Sequence, residues 1–245
     1  MKNIVIGIEG LVGSGKTSIC RDLLKYIPNS IILHGGNLYR GIVYALMNKK
    51  DIDLSNLKTN IQNIDIKDLM DKLKVELKIE NRESVIYVNG IKIGEDNLQS
   101  KEASMAVSIA GGCADNSHLY SFARKLIDSY KQKFNVIVSG RDLMRIYPDL
   151  DYHFLITASL EERIRRKMIQ YGNNSNYEEI RQNIIKRDEL QEKAGYYKVY
   201  QNTIEIDVTE CKSAEESTKK VLNYIETNNY WLKQFMNIYR LKLIW

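Results

Sequence analysis

Cysteine, histidine and proline are all scarce in this chain. Its three cysteines lie far apart, and none belongs to a Cys-x-x-Cys pair. With only three histidines beside them, the sequence offers neither a zinc-binding spacing nor a disulfide framework. Two prolines and 14 glycines are too few for a long disordered linker or a fibrous repeat. These shortages favour an ordered protein of a reducing compartment, and we expect a cytoplasmic location.

Long apolar runs and a strong charge imbalance are missing as well. No apolar run approaches the roughly 20 residues of a membrane-spanning helix. The apolar run at the N-terminus ends in a glycine-rich turn, earlier than a signal peptide requires. The formal charge is +5, from 36 Lys and Arg against 31 Asp and Glu. This excess is small for a nucleic-acid clamp and suits an anionic small substrate. We therefore expect no stable membrane insertion and no nucleic-acid partner.

Short apolar segments alternate with helical patterns along most of the chain. Strands are predicted at residues 4–8, 31–33, 136–139, 152–156 and 204–207, and the first two helices at about 16–26 and 38–47. This alternation predicts an α/β fold of three layers, in which helices cover both faces of a central parallel sheet. A length of 245 residues fits one large domain with smaller inserts.

Two stretches interrupt the alternation. Residues 72–93 alternate apolar and polar positions around turns at 81–83 and at Asn89-Gly90, which predicts an antiparallel hairpin distinct from the parallel core. Residues 160–197 are charged and helical, with a break at 172–176. This second stretch indicates either a mobile helical lid or a pair of solvent-exposed helices.

A phosphate-binding pattern, G-x-x-x-x-G-K-S/T, lies between the first predicted strand and the first predicted helix. Glycines let successive N–H groups face one point, and the helix N-terminus adds a partial positive charge. In this pattern Lys16 reaches the β- and γ-phosphates, and the Thr17 hydroxyl ligates Mg²⁺. The residues predicted to bind the nucleotide are Gly10, Leu11, Val12, Gly13, Ser14, Gly15, Lys16 and Thr17.

A phosphate loop alone leaves GTPases, ATPase motors and small-molecule kinases open. The sequence contains no Asn-Lys-x-Asp guanine signature. The strand at 136–139 ends in Ser139-Gly140-Arg141-Asp142, where a motor would have an acidic pair. An arginine at the carboxyl end of a strand, beside a phosphate loop, is suited to an anionic acceptor. These features favour a small-molecule kinase.

Four further segments follow the phosphate loop in a fixed order. Residues 34–40 are similar to the pattern D-S/T-G-A-x-Y-R, and residues 86–90 to V-x-L-N-G. Residues 139–142 are similar to D-G-R-D, and residues 157–163 to T-A-S-x-E-E-R. From about residue 4 to residue 216, this ordered set resembles the bacterial (d)CMP kinases, or cytidylate kinases, of the P-loop nucleoside monophosphate kinases. The resemblance implies the P-loop NTPase fold and the reaction of (d)CMP with ATP to give (d)CDP and ADP.

The resemblance also implies how the chain is divided. The implied parts of one kinase domain, 1–245, are a core at about 1–58 and 100–225, an NMP-binding insert at about 59–99, a lid at about 160–197 and a C-terminal extension at about 226–245. ATP and Mg²⁺ are the implied cofactors, and CMP or dCMP is the implied small-molecule substrate. We expect a monomer. The aromatic, basic run at 230–245 is expected to close on the core or to fray, more than to bind a membrane surface or a partner.

Site residues are carried over at matching positions. The positions implied to bind the acceptor are Gly35, Gly36, Arg40 and Arg141 around its phosphate, and Ser108, Arg124 and Asp142 at its base. In the lid, the resemblance implies that Arg163, Arg166 and Arg187 close over the triphosphate, although a solvated helix face is the alternative for such charge runs. The implied catalytic groups are Lys16, Arg141, Arg163 and Arg187.

Several positions depart from the family pattern. His34 and Ser139 stand where the family has acidic residues, and Gln191 and Ala194 where it has a carboxylate and an arginine. The departures leave three alternatives open. The acceptor is UMP or another monophosphate, it is a small hydroxyl compound with Asp142 as the base, or the chain is a nucleotide-binding module that has lost catalysis.

Overall fold

The computed structural model describes residues 2–47, 54–62, 65–111, 117–172 and 176–228. Within these residues lie eight strands and eleven helices. The strands are β1 Val5–Gly10, β2 Ser30–His34, β3 Glu76–Glu80, β4 Glu83–Val88, β5 Ile91–Lys92, β6 Asn135–Ser139, β7 Tyr152–Thr157 and β8 Thr203–Asp207. The helices are α1 Lys16–Leu23, α2 Gly35–Met47, α3 Leu57–Gln62, α4 Ile66–Lys72, α5 Glu95–Gln99, α6 Lys101–Gly111, α7 Ser117–Lys131, α8 Leu143–Ile146, α9 Leu160–Tyr171, α10 Tyr177–Lys193 and α11 Ala214–Asn228.

The described strands form one sheet in the order β3-β4-β2-β6-β1-β7-β8, with β5 beside β4. The five strands predicted for the core, β1, β2, β6, β7 and β8, run parallel to one another. β1 lies between β6 and β7, and its Gly7 pairs with Val138 and with His153. The predicted α/β fold with a central parallel sheet is confirmed.

Helices cover both faces of this sheet, which explains why its strands read as continuous apolar runs. Successive side chains of a strand point to opposite faces. Ile6 and Ile8 of β1 pack with residues of α1 and α11, whereas Val5 packs on the other face with Ile127 of α7. All three β1 side chains are fully buried, and the three-layer arrangement follows.

The hairpin at 72–93 differs from its prediction in one respect. Its turns and antiparallel strands form as expected, but β4 also pairs in parallel with β2 and extends the main sheet. Arg82 makes this attachment, because its carbonyl accepts from the Ile32 amide at 2.8 Å and its guanidinium donates to the Ser30 carbonyl at 2.8 Å. The antiparallel hairpin is confirmed, and its attachment to β2 was not predicted, since alternation along a strand does not indicate which strand it joins.

The charged stretch at 160–197 forms two helices, α9 and α10, and α9 ends at Gly172 as expected. Both helices bury an apolar side on the phosphate loop, where Ile164, Ile180 and Ile184 pack with Val12. The stretch is therefore not a pair of solvent-exposed helices. The two helices cover the loop, and their role as a lid stays a prediction.

The described chain ends with α11, which packs against α1. Most of the predicted C-terminal extension, including the aromatic run at 230–245, lies outside the described residues. In the part of the chain that is described, no helix has the length and apolar character needed to cross a membrane.

Candidate active site

A cleft of about 640 Å³ opens where the carboxyl ends of β1, β2 and β6 meet. These three strands are neighbours in the sheet, so the loops that leave them converge on one place. The phosphate loop follows β1, Gly35 and Gly36 follow β2, and Gly140-Arg141 follows β6. Residues of α6, α7 and α9 line the sides of the cleft. The sequence motifs thus reach one site through the topology of the sheet.

The phosphate loop has the backbone geometry that its glycines allow. Gly10 adopts φ 155°, and a Cβ there would lie 2.2 Å from the carbonyl oxygen of Ile156. Gly15, immediately before α1, has φ 94°, which L side chains rarely adopt. The Lys16 ammonium spans the loop and donates to the carbonyls of Gly10 at 2.8 Å and Leu11 at 2.9 Å.

Cationic side chains crowd the cleft beside this loop. Burial, and then the neighbouring Arg141 and Arg187, lowers the pKa of Lys16 well below its ordinary value. Burial and the same two arginines lower the pKa of Arg40 to about 10. The Arg40 Nε is buried and finds no hydrogen-bond partner among the described residues. These cations repel one another, so an anionic ligand at their centre would be strongly bound.

Arg141 is oriented by groups from α10 and from the segment that follows it. Its Nε donates to Gln191 Oε1 at 2.7 Å, and its guanidinium carbon lies 5.4 Å from the centre of the Tyr197 ring. The Tyr197 hydroxyl donates to the same amide oxygen. Gln191, which stands where the family has a carboxylate, therefore still supplies an oxygen acceptor for an arginine. Ala194 makes no such contact and is the C-terminal cap residue of α10.

Ser108 connects α6 to α10 at the side of the cleft. Its hydroxyl donates to the Ser104 carbonyl at 3.0 Å and accepts from Gln191 Nε2 at 3.2 Å and from Arg187 Nε at 3.4 Å. Arg187 is only 6% exposed. Both residues line the cleft, and each holds the other in place.

Two lid residues hold the phosphate loop from behind. Arg163 is 7% exposed, donates to the Val12 carbonyl at 3.2 Å and pairs with the Asp188 carboxylate. Asp188 also accepts from the Val12 amide at 3.3 Å. Arg163 is not among the residues that line the cleft. Arg163 therefore connects the loop to α10 as a clamp. It is neither an unpaired arginine of a lid nor an arginine on a solvated helix face.

Arg166 and Lys167 of α9 do line the cleft. Arg166 donates to the Ser14 carbonyl of the phosphate loop at 2.9 Å and to the Val208 carbonyl at 2.8 Å. Burial, and then Arg187 and Arg40, lowers the pKa of Lys167 to about 8. The sequence analysis missed Lys167, because this residue lies outside the matched motif. The only sequence feature that could have identified it is its position on the same helix, α9, as Arg166.

The structure does not bring Arg124 or the Asp142 carboxylate to the cleft surface. Arg124 is exposed on α7, where it donates to the carbonyls of Ile146 at 2.9 Å and Arg145 at 3.4 Å. The preceding residue, Ala123, faces the cleft, and one residue along a helix turns a side chain by about 100°. Asp142 is 5% exposed and lies behind Tyr120.

Glu9 is a buried carboxylate that motif reading passed over because it precedes the phosphate loop. It accepts from the backbone amides of Asp142 at 3.1 Å and Leu143 at 2.6 Å. His153 Nε2 lies 3.0 Å from it. These contacts hold the Gly140-Arg141 turn against β1 and β7, so Glu9 sets the position of Arg141.

His34, at the position of a family acid, faces an acid from the hairpin. Its Nε2 lies 2.9 Å from Glu83 Oε2. Arg21 of α1 donates to Glu83 at 3.0 Å and to Glu95 at 2.9 Å. Because His34, Arg21 and Glu95 line the cleft, this network ties the hairpin to the edge of the site.

Thr17 lies in the first turn of α1 and lines the cleft. No group of three or more His, Cys, Asp or Glu side chains in the described ranges could hold a metal ion. Mg²⁺ in nucleotide sites keeps several waters and takes few protein ligands, the remainder coming from phosphates. One hydroxyl beside a phosphate loop therefore fits Mg²⁺ that arrives with a nucleotide. Ser139, in place of the family aspartate, is the last residue of β6 and lines the cleft.

Comparison with known proteins agrees with this architecture. The model of the cytidylate kinase family matches residues 6–227. A protein named cytidylate kinase from Clostridioides difficile (strain 630) is 29% identical over 231 residues, which cover 92% of this chain and 99% of that one. Another from Halalkalibacterium halodurans is 24% identical over 232 residues, with the same coverage of 92% and 99%. The matched region runs from β1 into the last turn of α11.

Proposed function

The chain belongs to the cytidylate kinase family and is a nucleoside monophosphate kinase with ATP as its phosphate donor, and we propose that its acceptor is CMP or dCMP. The reaction is then (d)CMP with ATP to give (d)CDP and ADP. The relatives that match nearly the whole chain carry the cytidylate kinase name. Their identity of 24–29% supports this choice of acceptor.

The mutual repulsion of the cleft cations is the observation that carries the proposal. Burial lowers the pKa values of Lys16, Arg40 and Lys167, and neighbouring cations lower them further: Arg141 and Arg187 act on Lys16 and Arg40, and Arg187 and Arg40 act on Lys167. A site for one phosphate would not require so many cations. Two bound nucleotides bring a triphosphate and a monophosphate together, and that charge matches the cluster.

The chemistry requires positioning and charge neutralisation more than a base. In the proposed reaction, an oxygen of the acceptor monophosphate attacks the γ-phosphorus of ATP, and the bond from that phosphorus to the bridging oxygen breaks. The attacking oxygen is already ionised, so no strong general base is needed. Lys16 neutralises the moving phosphoryl group, while Arg40 and Arg141 hold the acceptor phosphate with forked guanidinium groups.

Magnesium bound with the nucleotide would neutralise charge on the β- and γ-phosphates. Thr17 is the residue that would ligate it. The lid, α9 and α10, would exclude water, which otherwise competes as an acceptor. A lid at 160–197, an acceptor insert at 59–99, a monomeric state and a cytoplasmic location belong to this proposal as predictions of the sequence.

The proposal is tested by a coupled assay of ADP release with ATP and Mg²⁺ over a panel of CMP, dCMP, UMP, AMP and small hydroxyl compounds. We expect kcat/KM to be highest with CMP or dCMP. Lys16→Ala is expected to lower kcat by about 100-fold or more, because it removes a charge that stabilises the transition state. A preference for UMP or for a hydroxyl compound would refute the acceptor. ATP binding without turnover of any acceptor would indicate the degenerate module.

A further inference from the structure

Arg141 is held in the cleft by neutral oxygen atoms. Its Nε donates to the amide oxygen of Gln191 at 2.7 Å, and its Nη1 donates to the Gly140 carbonyl at 2.9 Å. Arg163 in the lid differs, because it pairs with the Asp188 carboxylate. An amide oxygen fixes the direction of a guanidinium group but does not offset its charge as a carboxylate does. These contacts therefore leave the charge of Arg141 for a ligand.

The two arginines nearest in charge to Arg141 have partners of the same kind. Arg40 donates to the amide oxygen of Asn37 at 3.1 Å, and Arg187 donates to the hydroxyl of Ser108 at 3.4 Å. All three arginines line the cleft. Arg141 helps to lower the pKa values of the other two, after burial, so the three groups act on one another as charges. The neutral partner of Arg141 thus belongs to a pattern shared by this part of the cleft.

Tyr197 contacts Arg141 directly and through Gln191. The Tyr197 hydroxyl donates to the same amide oxygen that accepts from Arg141. The centre of its ring lies 5.4 Å from the guanidinium carbon of Arg141. Burial raises the pKa of Tyr197 to about 12, so the hydroxyl keeps its proton at physiological pH and remains a donor. One side chain therefore fixes the acceptor oxygen and packs against the cation that this oxygen holds.

The backbone of Tyr197 adopts an uncommon conformation to reach this place. Its φ is 63°, which lies in the left-handed region that bulky side chains rarely adopt. The hydroxyl also lies 3.3 Å from Asp188 Oδ1, the atom that accepts from the Val12 amide of the phosphate loop. Strain of this kind persists where surrounding contacts determine the conformation. The contacts of Tyr197 with Gln191 and Asp188 are of that type.

We propose that Gln191 and Tyr197 are positioning residues that aim Arg141 at the phosphate of the acceptor while leaving its full charge available. The inference rests on the proposed function and deepens it. A carboxylate at position 191 would accept from the same two donors, Arg141 and Tyr197, but it would offset the charge that binds the acceptor. The amide and the phenol supply the direction without that loss. Two properties follow for Arg141, a fixed geometry and an unpaired charge, and each is tested by one substitution.

Tyr197→Phe tests the geometry, because it keeps the ring and removes the hydroxyl. KM for the acceptor is expected to rise about fivefold or more, while KM for ATP changes less than about twofold because Asp188 keeps its other contacts. Tyr177→Phe is the matched control. Tyr177 of α10 also donates its hydroxyl to a side chain, Glu161 at 2.7 Å, but does not line the cleft. Its two KM values should match the wild type.

An unchanged acceptor KM in Tyr197→Phe would overturn the positioning role of the hydroxyl. Equal rises in the KM values of acceptor and ATP would overturn it as well, because they would show a general loss of structure.

Gln191→Glu tests the charge, because it keeps the shape of the side chain and adds one negative charge beside Arg141. KM for the acceptor is expected to rise about tenfold or more and to depend less on sodium chloride than in the wild type. Gln182→Glu adds the same charge to an exposed position of α10 that does not line the cleft, and it should leave both properties unchanged. A wild-type acceptor KM in Gln191→Glu would show that Arg141 needs no neutral partner.

These assays use the monophosphate with the highest kcat/KM in the panel, which separates this inference from the proposed function. A preference for UMP refutes the proposed acceptor, and the test of Tyr197 and Gln191 then continues with UMP. If no acceptor turns over, calorimetric titration of CMP and UMP into the same variants gives the answer. Weaker binding in both variants supports the positioning role, and equal affinity in all variants, or no binding to the wild type, overturns it.

Discussion

At the scale of single residues, the cleft contains basic side chains whose charged form is disfavoured by burial and by neighbouring cations. Arg40 keeps a buried Nε without a partner among the described residues, and the pKa values of Lys16, Arg40 and Lys167 are all lowered. A buried cation near other cations costs stability unless an anion compensates it. These side chains are therefore arranged for a ligand and not for the stability of the empty protein.

Lys167 gives this arrangement a measurable pH dependence. Its pKa is lowered to about 8, so the side chain is charged below pH 8 and loses its proton as the pH rises through that value. Bound polyphosphate favours the charged form. ATP affinity is expected to fall from pH 7 to pH 9 by a factor of up to about ten more in the wild type than in Lys167→Met.

The measurement is calorimetric titration of ATP at several pH values. Lys186→Met is the control, because Lys186 is exposed on the same pair of lid helices and does not line the cleft. It should follow the wild-type profile. Equal pH profiles for the wild type and Lys167→Met would show that Lys167 does not contact the bound nucleotide.

Sequence motifs identified the residues whose spacing is typical of phosphate binding. They did not identify residues whose roles depend on contacts formed when the chain folds. The phosphate loop, Arg40 and Arg141 were identified from sequence. Both arginines line the cleft, as do the loop residues Val12, Gly13, Gly15, Lys16 and Thr17. Glu9, Tyr120 and Lys167 were not identified. A glutamate in a strand, a tyrosine in a helix and one lysine among many have no local signature. Their roles depend on partners 133, 22 and 20 or more residues away.

At the scale of elements, the lid is joined to the phosphate loop by specific contacts. Arg163 of α9 and Asp188 of α10 pair with each other and both hydrogen-bond to the backbone of Val12. Ile164 and Ile184 pack on the same residue. A displacement of α9 or α10 would therefore change the environment of the loop directly.

A double-mutant cycle of Arg163→Met and Asp188→Asn measures this coupling. Each single change leaves a largely buried partner uncompensated, so each is expected to lower the free energy of unfolding by about 1–4 kcal/mol. The double variant is expected to lose at least about 1 kcal/mol less than the sum of the two. Urea denaturation provides the values.

The exposed pair Glu178 and Arg181 on α10 is the control cycle, with a separation of 3.4 Å. Its coupling should stay below about 0.5 kcal/mol, because solvent screens exposed ion pairs. Additive losses in the Arg163 and Asp188 cycle would mean that the clamp is not a unit.

At the scale of the whole molecule, the formal charge of +5 understates how the cations are distributed. The sheet topology gathers the carboxyl ends of β1, β2 and β6, and α9 and α10 add their basic residues from above. Outside the cleft, basic residues have acidic partners, as in the exposed pairs of Lys219 with Glu215 and Arg181 with Glu178. The cleft is locally far more positive than the chain as a whole.

Anions that fill the cleft should therefore stabilise the folded protein. Tripolyphosphate or ATP at about 100 times its Kd is expected to add about 2.7 kcal/mol to the free energy of unfolding. That corresponds to a rise in Tm of about 5–10 °C for a chain of this size. Sodium chloride at equal ionic strength should shift the Tm less, and Lys16→Ala should reduce the polyphosphate shift. Equal shifts with both salts would show general screening.

The sequence by itself determined the fold class, the phosphate loop and the order of the acceptor motifs, because these depend on short-range patterns. Alternating strands and helices imply a parallel sheet, and a glycine-rich turn before a helix implies an anion site. Only the tertiary structure decided that β4 joins β2, that Arg163 clamps the loop and that Asp142 faces Tyr120. Each of these depends on which side chains become neighbours after distant segments pack, and burial then fixes their charge and their hydrogen bonds.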